Sequence, residues 1–406
     1  MASQDSQLPC SRICMLSLNT ARLISGISTV IPGKAIMKIL ELCLSTGYGG
    51  LELYAFRAAQ ALDKNHDIIA VLNNNSKLAD HFASNSSIKT EFLKRSRGFL
   101  PLLNARRLAR LVDDNKIDVI HMHHGKDLAL AAYAKYFSSS KPSIVYTRQM
   151  QITRSKDDFY HNFLYKQMDL MLTITKRLEA DAKKFICRYP EKIKTLYYGV
   201  NAPEYFLNED ERKQQRKNTG FEADDFVVGL LGRLEESKGQ LLLISAIAEA
   251  NNKGSDIHAI IVGHEMNHGY RNTLKQLAAD QGIAENIVFM DFVPDPQRIM
   301  QLCDCVLLAT YEETFGLVLP EAMRAGIAVI GSNSGGVPEI IDHGETGLLF
   351  EPKDVKSLKT QLLRLYTDRE FTRRLAEKGK AAADKRFRPE DHFVSLERHI
   401  LATTQN

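Results

Sequence analysis

The sequence predicts an α/β protein of two Rossmann-like domains, each a parallel sheet wrapped in helices, facing each other across a cleft. Three observations predict it. Short β-branched runs alternate with helical stretches along almost the whole chain, which is the pattern of βαβ units. The alternation breaks once, in a polar and charged stretch at 201–224, and then restarts. The charge divides at the same place: residues 1–200 carry 29 Lys and Arg against 17 Asp and Glu, a balance of +12, and the rest of the chain balances at −8, for +4 overall. At 406 residues, 44% hydrophobic and 25% charged, the chain has material for two domains of ordinary size.

Taken in order, residues 1–36 are rich in Ser and Thr, carry one acid (Asp5) and lack sustained periodicity. They hold no apolar core with a cleavage site, so a disordered leader is expected rather than a targeting peptide. From Met37 an apolar strand runs into a Gly-rich turn and an amphipathic helix carrying Leu53, Phe56 and Ala59. Strands follow at 67–72, 117–124, 142–147, 170–175 and 193–200, closing a first domain over 37–200. The second domain, 201–406, has strands at 226–233, 258–263, 286–293, 303–310, 327–332 and 347–352 before the chain turns helical to its end. Strands in open parallel sheets present ligands at their carboxyl ends, and here those ends carry Gly, His, Thr and Arg.

Several classes are excluded. No apolar run reaches the ~18 residues that a membrane-spanning helix requires. Six scattered cysteines argue for reduced thiols rather than a disulfide framework. Cys303 and Cys305 have no second pair at zinc-site spacing and belong to a buried strand, so no metal is expected.

Two stretches carry the chemistry. In GLLGRLEESKG, Gly232 opens a turn after a strand, and Arg233 and Lys238 follow it five residues apart. Two cations at the carboxyl edge of a parallel sheet suit a diphosphate, with Arg233 as a fork and Lys238 as a point charge, although a solvated Arg and Lys explain the text equally well. In TYEETFGLVLPEAM, Glu313 and Glu321 stand eight apart around a Phe-Gly turn. Pro320 suits a first helical turn, which sets Glu321 near a helix start and Glu313 in the loop before it. A carboxylate there can accept hydrogen bonds from a sugar diol. For Glu321 alone, a favourable first-turn acid is the simpler reading.

Together these stretches resemble the retaining glycosyltransferases of the two-Rossmann (GT-B) type, in the family called group 1 or family 4. The family pattern GR-x4-KG is matched by Arg233, Lys238 and Gly239, and its E-x7-E signature by Glu313 and Glu321. The segment Gly335-Gly336-Val337-Pro338-Glu339 also fits. The resemblance covers Met37 to about Arg398. It implies that Arg233 and Lys238 neutralise the diphosphate of a nucleotide-sugar donor, that Glu313 contacts the donor sugar and Glu321 the ribose, and that the backbone of Phe315, Gly316 and Leu317 approaches sugar and phosphate. It implies a hexosyltransferase-type enzyme independent of metal, with no cofactor beyond its donor, and a C-terminal helix returning to the first domain. No Asp-x-Asp pair occurs in the chain.

In the first domain, residues 47–52 match the family's GG-x-E loop, where Gly49 and Gly50 would allow close backbone approach and positive φ. His121 and His123 end a strand where the family often has a His pair, and a strand-end His packing locally is the alternative. After the next strand, where many relatives place a His on the donor sugar, the text is Tyr146-Thr147-Arg148-Gln149. Arg148 or Gln149 takes that place, and an Arg there suits an anionic sugar or a phosphorylated acceptor.

Residues 92–111 hold six bases and no acid among Phe and Leu. Such a stretch suits an anionic membrane surface or acceptor, or else is a solvated helix face beside the acceptor cleft. Nucleic acid is not expected, since no recognised module accompanies the charge. The pattern points to an envelope glycan or lipid-linked acceptor, as in lipopolysaccharide or similar polysaccharide biosynthesis, and to a cytoplasmic enzyme lying peripherally at the inner membrane face. Two rivals are a sugar-nucleotide epimerase on the same fold, which would not need the Arg and Lys pairing, and a non-catalytic nucleotide-sugar-binding subunit, which would have lost it.

Overall fold

The computed structural model describes residues 36–95 and 101–405. The leader expected at 1–36 therefore lies outside the described residues apart from Ile36, as do Arg97, Phe99 and Leu100 of the basic stretch.

Thirteen strands form two sheets, all parallel among the described residues. The first contains β1 (Lys38–Cys43), β2 (Asp67–Leu72), β3 (Lys89–Phe92), β4 (Val119–Met122), β5 (Ser143–Arg148), β6 (Leu170–Thr173) and β7 (Ile193–Thr195), in the order β3-β2-β1-β4-β5-β6-β7. The second contains β8 (Phe226–Leu231), β9 (Ile257–Val262), β10 (Ile287–Met290), β11 (Cys305–Leu308), β12 (Ala328–Ser332) and β13 (Leu348–Phe350), in the order β10-β9-β8-β11-β12-β13. Each sheet grows outward in both directions from its first strand. This leaves a switch point between β1 and β4 and another between β8 and β11, where open parallel sheets hold their ligands.

The central strands are apolar on both faces because helices cover both. Cys303 and Cys305 show this directly: they sit in different hydrophobic clusters, on opposite faces of the second sheet. The edge strand β3, sequence KTEF, is only partly buried and has no apolar run, so the sequence does not announce it.

The charged stretch at 201–224 is not an open linker. Residues Glu209–Thr219 form a helix, closed by a capping box in which Asn208 accepts from the Glu211 amide and Glu211 reaches back to the amide of Asn208. Its one buried side chain is Arg216, which donates to the carbonyls of Leu302, Ala223 and Asp225 and pairs with Asp304 at 2.7 Å. The helix is thereby fixed to the second domain.

The two sheets meet through side chains at their carboxyl edges. Glu339 caps the helix Lys176–Phe185 of the first domain, accepting the amides of Lys176 and Arg177 at 2.7 Å each, and also accepts the Tyr197 hydroxyl at 2.8 Å. Tyr198 and Phe315 pack edge to face with centroids 5.2 Å apart. The last helix, Pro389–Ala402, lies on the first domain: His392 Nε2 is 3.0 Å from the Tyr54 hydroxyl, and Glu397 is 2.9 Å from His66. No helix among the described residues is long and apolar enough to cross a membrane.

Candidate functional site

The carboxyl edge of β8 sets up the cationic wall. Gly232 takes φ +155° and passes the chain to Arg233, after which a single 3₁₀ turn, Glu236–Lys238, leads to Gly239 at φ +75°. A side chain at Gly239 would strike Ala309, only 2.6 Å away, so the start of helix Gln240–Asn251 packs directly on the end of β11. That closeness brings Lys238 to the loop after β11. Lys238 Nζ lies 3.4 Å from Glu313 Oε2, with both side chains about a quarter exposed (23%). Arg233 does not join them: its guanidinium is half exposed and pairs with Glu235 at 3.1 Å.

Glu313 is held by its own loop. Its Oε1 accepts the Thr314 amide at 3.1 Å, and its carbonyl accepts the Gly336 amide at 3.0 Å. Gly335, at φ +60°, is packed so tightly under that carbonyl that any Cβ would overlap the oxygen. The Phe315 side chain turns away into the core between the domains, leaving only backbone at that position for a ligand. Gly316, at φ +92°, makes the turn into the helix Val318–Arg324, with Leu317 at its cap.

Glu321 sits in the first turn of that helix. It is half-buried, and burial pushes its carboxyl up to about 7, while Arg57 of the first domain acts in the opposite sense. Across from it, a Cβ on Gly50 would lie 3.6 Å from Leu317, so the Gly-rich loop and the Phe-Gly turn face each other at contact distance.

The Gly-rich loop corrects one expectation. None of Gly47, Gly49 and Gly50 takes a positive φ, and Gly49 is extended at −166°. Close approach is what these glycines serve. Glu52 of the same motif is buried and folds back, accepting the Gly49 amide at 2.9 Å and the Ser45 hydroxyl, so it shapes the loop rather than facing a ligand.

The His pair needs a second correction. His121 has no exposed surface, and both its nitrogens are bonded, to Glu41 at 2.9 Å and to Thr147 at 2.8 Å. It is an interior residue with no face for a sugar. His123 also bonds Glu41, at 2.6 Å, but lines a cavity. Burial by itself raises the Glu41 carboxyl, yet the charge and hydrogen bond of His121 and the hydrogen bond of His123 outweigh it and hold it down to about 2. Burial and then the neighbouring His121 lower His123, favouring its neutral form. Sequence reasoning passed over Glu41. The signal was there: a lone acid inside the apolar run of β1 must find partners.

Among the described residues, two clusters place ligand atoms near enough to share a metal ion, Glu41 with His121 and His123, and Asp225 with Asp256 and His258. In the first, one nitrogen of each histidine bonds the carboxylate and the other nitrogen of His121 bonds Thr147, while Nδ1 of His123 is buried with no hydrogen-bond partner among the described residues. In the second, His258 Nε2 lies 3.2 Å from Asp256, which is largely exposed. Neither stands at the Lys238–Glu313 wall.

Arg148 is placed apart from the donor-type residues. It ends β5 and borders the same cavity as His123, of about 740 Å³, within the first domain. Its guanidinium donates to the Tyr146 hydroxyl at 3.1 Å and to the Gln151 carbonyl at 2.8 Å. The basic stretch is also divided by the fold. Arg95 enters this cavity and pairs with Asp127 at 3.3 Å, whereas Arg106, Arg107 and Arg110 lie exposed on the helix Leu102–Asn115. Phe92 is exposed but Leu93 is buried.

With this geometry in place, comparison with known proteins is informative. The family model described as glycosyl transferases group 1 matches residues 211–382, and that of glycosyltransferase family 4 matches 48–203. An N-acetyl-alpha-D-glucosaminyl L-malate synthase from Bacillus anthracis is 27% identical over 293 residues, covering 70% of this chain and 75% of that protein. A GDP-mannose-dependent alpha-(1-6)-phosphatidylinositol monomannoside mannosyltransferase from Mycolicibacterium smegmatis is 26% identical over 299 residues, covering 68% and 74%. Among solved structures, Anabaena Alr3699/HepE in complex with UDP matches with a TM-score of 0.79 at 23% identity, over 90% of this chain and 100% of that one. This last likeness is one of fold.

Proposed function

Because this chain belongs to the group 1 / family 4 glycosyltransferases and has their two-domain GT-B fold, we propose that it moves a sugar, with retained anomeric configuration and without a metal ion, from a nucleoside diphosphate sugar to an envelope glycan or lipid-linked acceptor. The observation that carries the reading is the Lys238–Glu313 pair at 3.4 Å, set at the carboxyl edge of the second sheet beside its switch point. A cation and a carboxylate side by side match a donor whose diphosphate is anionic and whose sugar offers hydroxyls. The relatives support this: the Anabaena protein was solved with UDP, and the mycobacterial relative is named for a mannosyl donor and a phosphatidylinositol-linked acceptor.

In this reading Lys238 stabilises the charge that builds on the departing nucleotide. Arg233 leaves Glu235 to share that task, and Glu313 takes a sugar hydroxyl. Glycines 49 and 50 let the first domain close on the phosphates. No cofactor other than the donor takes part. The exposed bases of helix Leu102–Asn115, with exposed Leu103 among them, suit peripheral attachment to an anionic membrane face, which fits lipopolysaccharide or similar polysaccharide synthesis. The test is to incubate the purified protein, in EDTA, with a panel of nucleotide sugars and measure nucleotide release, then read the anomeric configuration of any product by NMR. An α-linked product from an α-configured donor is expected. Release that needs added metal, or an inverted product, would remove those parts of the reading.

Glu321 gives this reading a pH dependence. A ribose diol donates to the carboxylate, so the ionised form binds, whereas the free protein holds a proton there up to about 7. Affinity is therefore lost as pH falls through that value, by about tenfold between pH 8 and pH 6. Calorimetric titration with UDP-glucose, whose diphosphate does not titrate in this range, should show the slope in the wild type and none in Glu321→Gln. A flat wild-type profile would remove Glu321 from the ribose.

A further inference from the structure

The first-domain cavity collects cations that the fold leaves unbalanced. Arg95, Lys126, Arg148, Arg154 and Lys156 all line its 740 Å³. Among its described lining residues Asp127 is the one acid, and that carboxylate is already engaged: Oδ2 accepts the Leu44 amide at 2.9 Å and Oδ1 pairs with Arg95 at 3.3 Å. Arg95 also lies 2.6 Å from His124 Nδ1. No described carboxylate pairs with Lys126, Arg148, Arg154 or Lys156, as the ion pairs of the described residues show. Arg148 spends two of its donors on a hydroxyl and a carbonyl, which leave its charge in place.

Gathering like charges in a concave, partly desolvated site costs free energy that a surface arrangement would avoid. Lys156 registers that cost: burial, and after it the charges of Arg154 and Arg148, lower its affinity for its proton, and outweigh the opposite effect of Asp158. Elsewhere in the protein buried charge is answered by a partner, as Arg216 is by Asp304 and the Glu41 carboxylate is by His121 and His123. Here the half-buried Arg148 and Lys156, and the exposed Lys126 and Arg154 beside them, form no ion pair among the described residues.

We infer that this cavity binds the acceptor through a phosphate or carboxylate group that the acceptor carries, clasped between Arg148, Arg154, Lys156 and Lys126. The inference rests on the transferase reading for the word acceptor, but the binding of the anion does not depend on it. The position is suitable for an acceptor. The cavity opens at the ends of β4 and β5, beside the end of β1, and β1 leads into the Gly-rich loop that meets Leu317 of the second domain at contact distance. Guanidinium forks favour planar, bidentate anions over a neutral glycan, and apolar Leu44, Leu128 and Leu164 leave room for the body of the ligand.

The test uses the full-length protein with the donor site filled by UDP, so that Arg233 and Lys238 are occupied. Glucose 6-phosphate and glucose are titrated calorimetrically, and in parallel vesicles of phosphatidylcholine with and without phosphatidic acid are sedimented with the protein. Binding of the phosphate-bearing probe and not of its neutral counterpart is expected. The first arm identifies a soluble sugar phosphate as the source, and the second a lipid headgroup. Arg154→Gln/Lys156→Gln should weaken that binding by about tenfold or more, while a retained UDP-induced rise in melting temperature confirms that the variant is folded. Absence of anion selectivity in both arms, or binding indifferent to the double substitution, would overturn the inference. A protein that turns over no nucleotide sugar yet binds glucose 6-phosphate through Arg154 and Lys156 would keep the cavity and lose the transferase reading.

Discussion

Replacing Lys238 with alanine is expected to lower turnover by about a hundredfold to a thousandfold at saturating donor, equivalent to roughly 2.7–4 kcal/mol of transition-state stabilisation. The size follows from what remains in place. Lys238 stands 3.4 Å from Glu313, and the loop holds that carboxylate through the Thr314 amide and the Gly336–Glu313 backbone bond. Without the ammonium, the leaving diphosphate loses a counter-charge and faces an unscreened carboxylate. Arg233 already shares the diphosphate in this reading and approaches from a more exposed position, so it does not replace the lost ammonium. Because the charge on the nucleotide grows as the sugar departs, kcat should fall more than donor affinity. Lys238→Arg, which keeps the charge and changes its shape, should recover part of the loss. The measurement is nucleotide release at saturating donor, with a titration of UDP alongside. Near-normal turnover in Lys238→Ala would withdraw the leaving-group role.

Gly335→Ala should be nearly as damaging, though the residue offers no chemistry of its own. At φ +60° the backbone is in the left-handed region, and a methyl group there would overlap the Glu313 carbonyl oxygen. The obstacle is backbone, so a rotamer change cannot relieve it. Relief requires the 311–314 and 334–337 loops to part, which breaks the Gly336-to-Glu313 hydrogen bond and shifts the Glu313 carboxylate away from Lys238. A displacement of about 1 Å at a reacting centre costs on the order of a hundredfold, so kcat/KM should fall by at least that much. Gly344→Ala is the control. It also has positive φ, at +81°, but a Cβ there meets nothing. It should share the backbone penalty in melting temperature and spare the activity. Equal activity in the two variants would show that the Glu313 loop tolerates movement.

How much of this was legible in the chain depends on the range of the interaction. Buried parallel strands announce themselves because both faces must be apolar, and the central strands of both sheets, β1 and β8 among them, read as near-continuous hydrophobic runs. The edge strand β3 does not, since a strand covered on one side only can be built from Lys, Thr and Glu. Likewise the helix Glu209–Thr219 looks like a linker, because its attachment is one buried arginine and not an apolar stripe. The motif residues Arg233, Lys238, Glu313 and Glu321 could be picked out by spacing. That Arg233 turns to Glu235 and that Glu52 bonds its own helix start could not.

By itself, then, the sequence determined the α/β class, the placing of most strands and the stretches that bear the chemistry, because each of these is set by local periodicity and by the conformational demands of Gly and Pro. Tertiary structure alone decided which charges face each other. His121 and His123 converge on Glu41 from 80 and 82 residues away only because β4 pairs with β1. The cations of the first-domain cavity come from positions 95 to 156 and share one space only because β1, β4 and β5 stand side by side. A Coulomb interaction depends on separation and burial, and neither quantity exists for a residue until the strands have taken their order in the sheet.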